Sequence, residues 1–294
     1  MTFVISIISI HAASSFLSSK FCYDVSEGSE DMEMKLIIFD VDGTLYDLNS
    51  HCIPDSAVSA LRQLRQNGIP FALASGRAHY GMGKALNDLH ADYIIADSGG
   101  VIVDGSGEIL SHEDIPFDEC CRLLDFARKE KAGLIFKFPR HMYIYQHPEK
   151  VDWLQGQMNS DIGSEPFIFH PEQDRHFLEL PQCASIHADP DRVREFARAS
   201  TLSFRQFSAF GFDVAPQGVN KGSGIRKLLT ILDLPKDKCA CFGDNYNDIE
   251  MMEECGYRIA MGNAVPKIKE MADHVTAATD KDGILLGLKH LRVI

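Results

Sequence analysis

Several features are missing from this chain, and each absence closes a class of function. Its eight cysteines (Cys22, Cys52, Cys120, Cys121, Cys183, Cys239, Cys241 and Cys255) follow no regular spacing and include no Cys-x-x-Cys pair. That argues against a disulfide scaffold and against a zinc site, and it points to a reducing compartment. Cys239-Ala-Cys241 reads as alternation on a buried strand. Positive charge is also scarce: 29 Lys and Arg stand against 42 Asp and Glu, for a formal charge of -13. A nucleic-acid or anionic-membrane partner would want a basic face, so neither is expected. The apolar run near the start, Phe3 to Ile10, falls far short of the ~20 residues that span a bilayer. No Lys or Arg precedes it, the first being Lys20, which makes a poor signal peptide. Finally, no Gly-x-Gly-x-x-Gly follows the first strand, which excludes a nicotinamide-binding reading.

What is present concentrates at residues 35–45, Lys-Leu-Ile-Ile-Phe-Asp-Val-Asp-Gly-Thr-Leu. Leu36 to Phe39 reads as a buried strand that stops at two carboxylates one residue apart. Asp42-Gly43 then forces a turn. Strand alternation places Asp40 and Asp42 on one side, with Val41 packed away. Two acids that close repel unless a cation or proton sits between them, and the carboxyl edge of a parallel sheet is where ligands bind.

Other polar clusters follow the same rule. The apolar run Ile69 to Ala74 ends in Ser75-Gly76-Arg77. Lys221 opens an amphipathic helix with Ile225, Leu228, Leu229 and Leu232 at helical spacing. Cys239 to Phe242 ends in Gly243-Asp244-Asn245-Tyr246-Asn247-Asp248. In a doubly wound α/β sheet these positions converge on one edge, where hydroxyl, ammonium and carboxylates make a site for phosphate and a cation.

The order Asp-x-Asp-Gly-Thr, Ser-Gly-Arg, Lys, Gly-Asp-x-x-Asn-Asp resembles the haloacid dehalogenase superfamily, in particular its Cof-type sugar-phosphatase branch, over residues 35–290. The resemblance implies a Rossmann-like core with a parallel, doubly wound sheet and an inserted α/β cap. It also implies a Mg²⁺-dependent phosphatase acting on small phosphorylated metabolites, sugar phosphates or cofactor phosphates. Chemistry assigns roles that fit. Asp40 is the nucleophile that would form an aspartyl-phosphate. Asp42 is the general acid and base, and its backbone carbonyl is an implied metal ligand. Asp244 is the implied direct ligand, with Asp248, about one helical turn on, direct or through water. Ser75 offers a hydroxyl to the phosphate, Lys221 a point cation, and Asn247 a donor to phosphate or a brace for the acids. Arg77 either touches substrate or makes a structural ion pair. The rival readings are a phosphomutase on a sugar phosphate and a non-catalytic regulatory or binding protein on the same scaffold.

Residues 34–110 and 210–294 are expected to form the core, and 111–209 the cap; Lys137, Arg140, His141 and Arg205 of the cap read first as solvated or strand-end charges, with contact to a sugar or a second phosphate as the alternative. One departure stands out. Cof-type relatives usually carry Asn-Gly after the third core strand, whereas this chain reads Asp97-Ser98-Gly99-Gly100. Residues 1–33, Ser-rich and then acidic, read as a disordered extension, with translation expected to begin at Met32 or Met34. An intact mass that includes Met1 to Asp31 would sink that expectation. The protein is expected in the cytoplasm, as a monomer or small homo-oligomer.

Overall fold

The computed structural model describes residues 33–151, 167–169 and 174–294. The expected disordered extension therefore lies, but for Glu33, outside the described residues. From Leu36 the chain lays down β1 (Leu36–Asp40), β2 (Phe71–Ala74), β3 (Tyr93–Ala96), β4 (Val101–Asp104) and β5 (Ile109–His112). It then builds β6 (Gly133–Lys137), β7 (Met142–Gln146), β8 (Phe167–Phe169), β9 (Cys183–His187), β10 (Leu202–Gln206) and β11 (Gly211–Pro216). It closes with β12 (Cys239–Gly243), β13 (Tyr257–Ala260) and β14 (His274–Val275). Two sheets result. One has the order β14-β13-β12-β1-β2-β3-β4-β5, the other β10-β11-β9-β6-β7-β8.

The larger sheet is doubly wound. β1 pairs in parallel with both β2 and β12, with Ile38 opposite Ala72 on one side and Cys241 on the other. Every residue of β1, β2 and β12 is buried, as continuous apolar strands covered on both faces require. From β1 the chain first steps toward β2 and β3, and after β12 it steps the opposite way, toward β13 and β14. Right-handed crossovers in opposite directions put their helices on opposite faces. The helices pair accordingly, Asp55–Gln66 beside Gly283–His290, and Lys221–Ile231 beside Ile249–Glu254. The point where the winding reverses lies between β1 and β12, and a crevice for ligands opens there.

In the smaller sheet, alternation sorts the two faces. Leu134, Phe136, Tyr143, Tyr145, Ala184, Ile186, Phe212 and Val214 share one apolar cluster with the helices Phe117–Glu130 and Pro190–Ala197. The opposite face carries Ile135, Met142 and Ile144, which pack with Ala78 and Tyr80 of the larger-sheet unit.

Neither expected boundary separates the two sheets. A break at 110/111 cuts β5, which pairs with β4 in the larger sheet. A break at 209/210 cuts the hairpin that joins β10 to β11, and β11 belongs to the smaller sheet through Pro216. The cause is the same at both ends: an edge hairpin carries the chain one strand further than a composition shift reveals.

Candidate active site

β1 ends at Asp40, and the turn that follows is wound tightly on itself. The carbonyl of Val41 accepts from the amides of Leu45 and Tyr46, and the amide of Gly43 donates to Tyr46 O at 2.9 Å. Gly43 has φ +95°, and a Cβ there would collide with the Asp244 carboxylate. Only glycine lets the two strand ends approach so closely. Asn263 Nδ2 and Thr279 Oγ1 both donate to the Gly43 carbonyl and tie the turn down.

Because the strand stops at Asp40, alternation does not carry on to Asp42, and the two acids occupy different surroundings. Asp40 is buried, and its Oδ1 accepts from Lys221 Nζ. Asp42 is half-exposed and pairs with Arg77, whose Nε and Nη2 donate to its two oxygens at 3.1 and 2.6 Å. Of the two readings for Arg77, the structure places it in an ion pair. That pair involves Asp42, and it is held further by Arg77 Nη1 on Met82 O at 3.4 Å and by the Tyr46 ring at 5.5 Å.

Lys221 is fully buried at the first turn of its helix, positioned by an Asn220 capping box in which Asn220 Oδ1 accepts from Ser223 N at 2.8 Å. The ammonium donates to Asp40 and, at 2.7 Å, to Asp248 Oδ1. The other oxygen of Asp248 accepts the amides of Asp244 and Asn245 at 2.9 and 3.0 Å, so this carboxylate is fixed on every side. Asp244, at the end of β12, accepts from Thr44 Oγ1 at 3.0 Å. One oxygen each from Asp40, Asp244 and Asp248 lies within 4.8 Å of the others, all three residues being buried.

Three carboxylates thus face one ammonium. Burial and the neighbouring Asp248 charge push Asp40 well above the ordinary carboxylate range. The same two causes lift Asp244 to about 6. Burial alone would lower Lys221, but the Asp40 and Asp248 charges outweigh it and raise its pKa, so it stays an ammonium. A pocket short of positive charge, with three hard oxygen donors converging, fits a small divalent cation. The Asp42 carboxylate is not among these donors.

Ser75 is buried at the end of β2, and its Oγ accepts from Arg77 N at 3.1 Å. The structure therefore brings Asp40, Lys221, Asp244 and Asp248 together, with Asp42 and Ser75 on adjoining turns linked through Arg77. Asn247 is set apart: it is exposed and makes no hydrogen bond to the cluster. Thr44, which orients Asp244, was not singled out by sequence reasoning. Its position next to Asp42-Gly43 was the available signal.

Comparison with known proteins gives a consistent picture. A family model described as haloacid dehalogenase-like hydrolase matches residues 37–288. The chain is 30% identical to YkrA of Bacillus subtilis (strain 168) over 267 residues, covering 90% of this chain and 100% of that one. It is 26% identical to the phosphatase YwpJ of the same organism over 287 residues, covering 88% and 100%. Among solved structures, the subclass IIB sugar phosphatase BT4131 superposes with a TM-score of 0.76 at 26% identity, covering 89% of this chain and 100% of that one. With the family's motifs standing on the strand ends that flank the reversal of the winding, the chain belongs to the haloacid dehalogenase-like hydrolases, in their Cof-type branch, and is an enzyme.

Proposed function

We propose that the protein is a Mg²⁺-dependent phosphatase that hydrolyses small phosphorylated metabolites through an aspartyl-phosphate on Asp40. The observation that carries this reading is the division of labour between two acids one residue apart. Asp40 is buried against Lys221 and the other acids, while Asp42 stands half-exposed on Arg77. Distinct surroundings are how one site keeps a nucleophile and a proton carrier apart.

Asp42 first leaves Arg77 and takes up a proton from solvent; an Asp40 oxygen then attacks phosphorus as the bond to the ester oxygen breaks, and Asp42 delivers that proton to the departing alkoxide. Asp42 then takes a proton from water, whose oxygen attacks the same phosphorus. The bond from phosphorus to Asp40 breaks, releasing inorganic phosphate and restoring the carboxylate. Ser75 and Lys221 steady the phosphoryl oxygens, and Asn247 is close enough in sequence to Asp248 to join them when substrate binds. Asp40, Asp244 and Asp248, with the Asp42 carbonyl, would hold Mg²⁺, which when bound offsets the repulsion between a carboxylate and a phosphate anion.

The phosphatase names of YwpJ and of the BT4131 sugar phosphatase support this substrate class. We place the activity in the cytoplasm, in a monomer or small homo-oligomer. Supporting that, the cysteines among the described residues are free thiols. No helix among those residues is long and apolar enough to cross a membrane. The test is phosphate release from a panel of sugar, nucleotide and cofactor phosphates. Release with Mg²⁺ should be abolished by EDTA and lowered at least ~10³-fold in Asp40→Asn. Metal-independent release, or an Asp40→Asn protein as active as wild type, would overturn the mechanism.

A further inference from the structure

The departure at Asp97-Ser98-Gly99-Gly100 leads to a second group of charges. Asp97 and Ser98 both take left-handed backbone, at φ 49° and 55°, an uncommon pairing for residues with side chains. The turn is wedged between two parts of the candidate active site. The amides of Asp97 and Ser98 donate to Arg77 O and Ser75 O, each at 2.9 Å. Gly99, at φ +103°, lies so near Asn220, just before Lys221, that a Cβ there would strike its carbonyl. From this position the Asp97 side chain turns toward the smaller sheet.

There it meets Lys137 of β6, on the sheet face that looks toward the larger-sheet unit. Lys137 Nζ lies 3.7 Å from Asp97 Oδ1 and 3.3 Å from Asp213 Oδ1, and Ser185 Oγ donates to the same Asp213 oxygen at 2.9 Å. Asp97 is only 1% exposed, yet its Oδ1 has no hydrogen-bond partner. A buried carboxylate oxygen left in that state is costly unless a ligand group completes it. Burial lifts its carboxyl to about 6 against the pull of Lys137, so at pH 7.5 it is charged. Two acids then outweigh one lysine, and the group repels anions. The turn that carries it is hydrogen-bonded to Ser75 O and Arg77 O, which ties this group of charges to the candidate active site.

We propose that Asp97, set against Lys137 and Asp213, is a specificity residue that accepts a hydroxyl of an uncharged leaving group and rejects leaving groups carrying a second anion. This inference rests on the phosphatase reading above and deepens it. Asp97 Oδ1, 3.7 Å from Lys137 Nζ and without a hydrogen bond, supplies the acceptor and Lys137 the donor, so one hydroxyl can satisfy both. A carboxylate or second phosphate in the same place would face two like charges across a desolvated gap.

The experiment compares, at pH 7.5 with Mg²⁺, the best ester of the panel with its counterpart in which one hydroxymethyl group is a carboxylate. Glycerol 3-phosphate against 3-phosphoglycerate is the simplest such pair. Wild type should favour the uncharged ester. In Asp97→Asn the kcat/KM ratio of charged to uncharged ester should rise about 10-fold or more, and in Lys137→Met it should fall. Ratios within one protein preparation are independent of how much of a variant folds. A purely structural brace would alter both esters alike. A wild type that prefers the charged ester, an Asp97→Asn ratio within about 2-fold of wild type, or variants that shift the ratio in the same direction would overturn the inference while leaving the phosphatase reading intact. A wild type that releases phosphate from no ester overturns the phosphatase reading, and this inference with it.

Discussion

Asp244 shows how much of the candidate site is set by single residues. It is held by one hydroxyl, that of Thr44, and otherwise faces other acids, so burial and Asp248 lift it to about 6. A carboxyl whose folded pKa exceeds its unfolded value adds stability that is complete below the unfolded value, near 4, and is lost as pH rises through the folded one. Metal-free protein should therefore lose stability between about pH 4 and pH 6.5, by on the order of 2–3 kcal/mol for this residue. In EDTA, Asp244→Asn should flatten that part of the melting-temperature profile and exceed wild type in stability at pH 7.5. An unchanged slope in the variant would show that Asp244 is not the group responsible.

At the scale of elements, the Lys221 helix does the most to assemble the candidate site. Its first residue is, among the described residues, the only ammonium that reaches the three acids, and its position depends on the Asn220 capping box. Replacing Asn220 by Ala removes the acceptor for Ser223 N and should cost about 1 kcal/mol in chemical denaturation. Because that turn carries Lys221, kcat should also fall, by about 3- to 10-fold; a loss of stability without loss of rate would separate the cap from Lys221 placement. The strands, this helix and the acids at their ends were legible in the sequence because apolar runs ending abruptly in Asp, Ser or Lys report burial and sheet edge together. The Asp42–Arg77 pair was legible only as an alternative, since 35 residues separate the partners and only the fold decides between them. Asp97 was visible only as an unusual residue. Its significance depends on Lys137 and Asp213, which reach it only when the second sheet is in place. The boundary at β5 was missed because that edge strand is half-buried and short, so its pattern is weak, and the one at β11 because a strand's own pattern does not say which of two sheets it joins.

Across the whole molecule, the two sheets meet through the apolar patch on Ala78 and Tyr80 and through a few polar contacts. His79 Nε2 lies 2.6 Å from Pro139 O, and Tyr80 Oη donates to Phe138 O at 3.0 Å. Arg205 Nη2 reaches Glu250 at 3.4 Å. Burial holds His79 below its ordinary pKa, so at neutral pH it is uncharged, and one ring N–H can serve the Pro139 carbonyl. His79 and Tyr80 follow Ser75-Gly76-Arg77 with only Ala78 between, so the segment that positions Ser75 and orients Asp42 is also the one that grips the β6–β7 turn. If the smaller sheet closes over the crevice, closure and assembly of the site are thereby linked, and closure would exclude water from the reaction. Tyr80→Phe tests the link with little disturbance, since the ring and its packing with Ile135 and Met142 remain and only the hydroxyl is lost. One neutral hydrogen bond contributes about 0.5–1.5 kcal/mol. If that energy favours the closed arrangement that binds ester, KM should rise about 2- to 12-fold, with melting temperature nearly unchanged. A drop in melting temperature with KM unaltered would instead make Tyr80 a packing residue of the interface, and closure would then rest on Arg205 and the charges around Lys137.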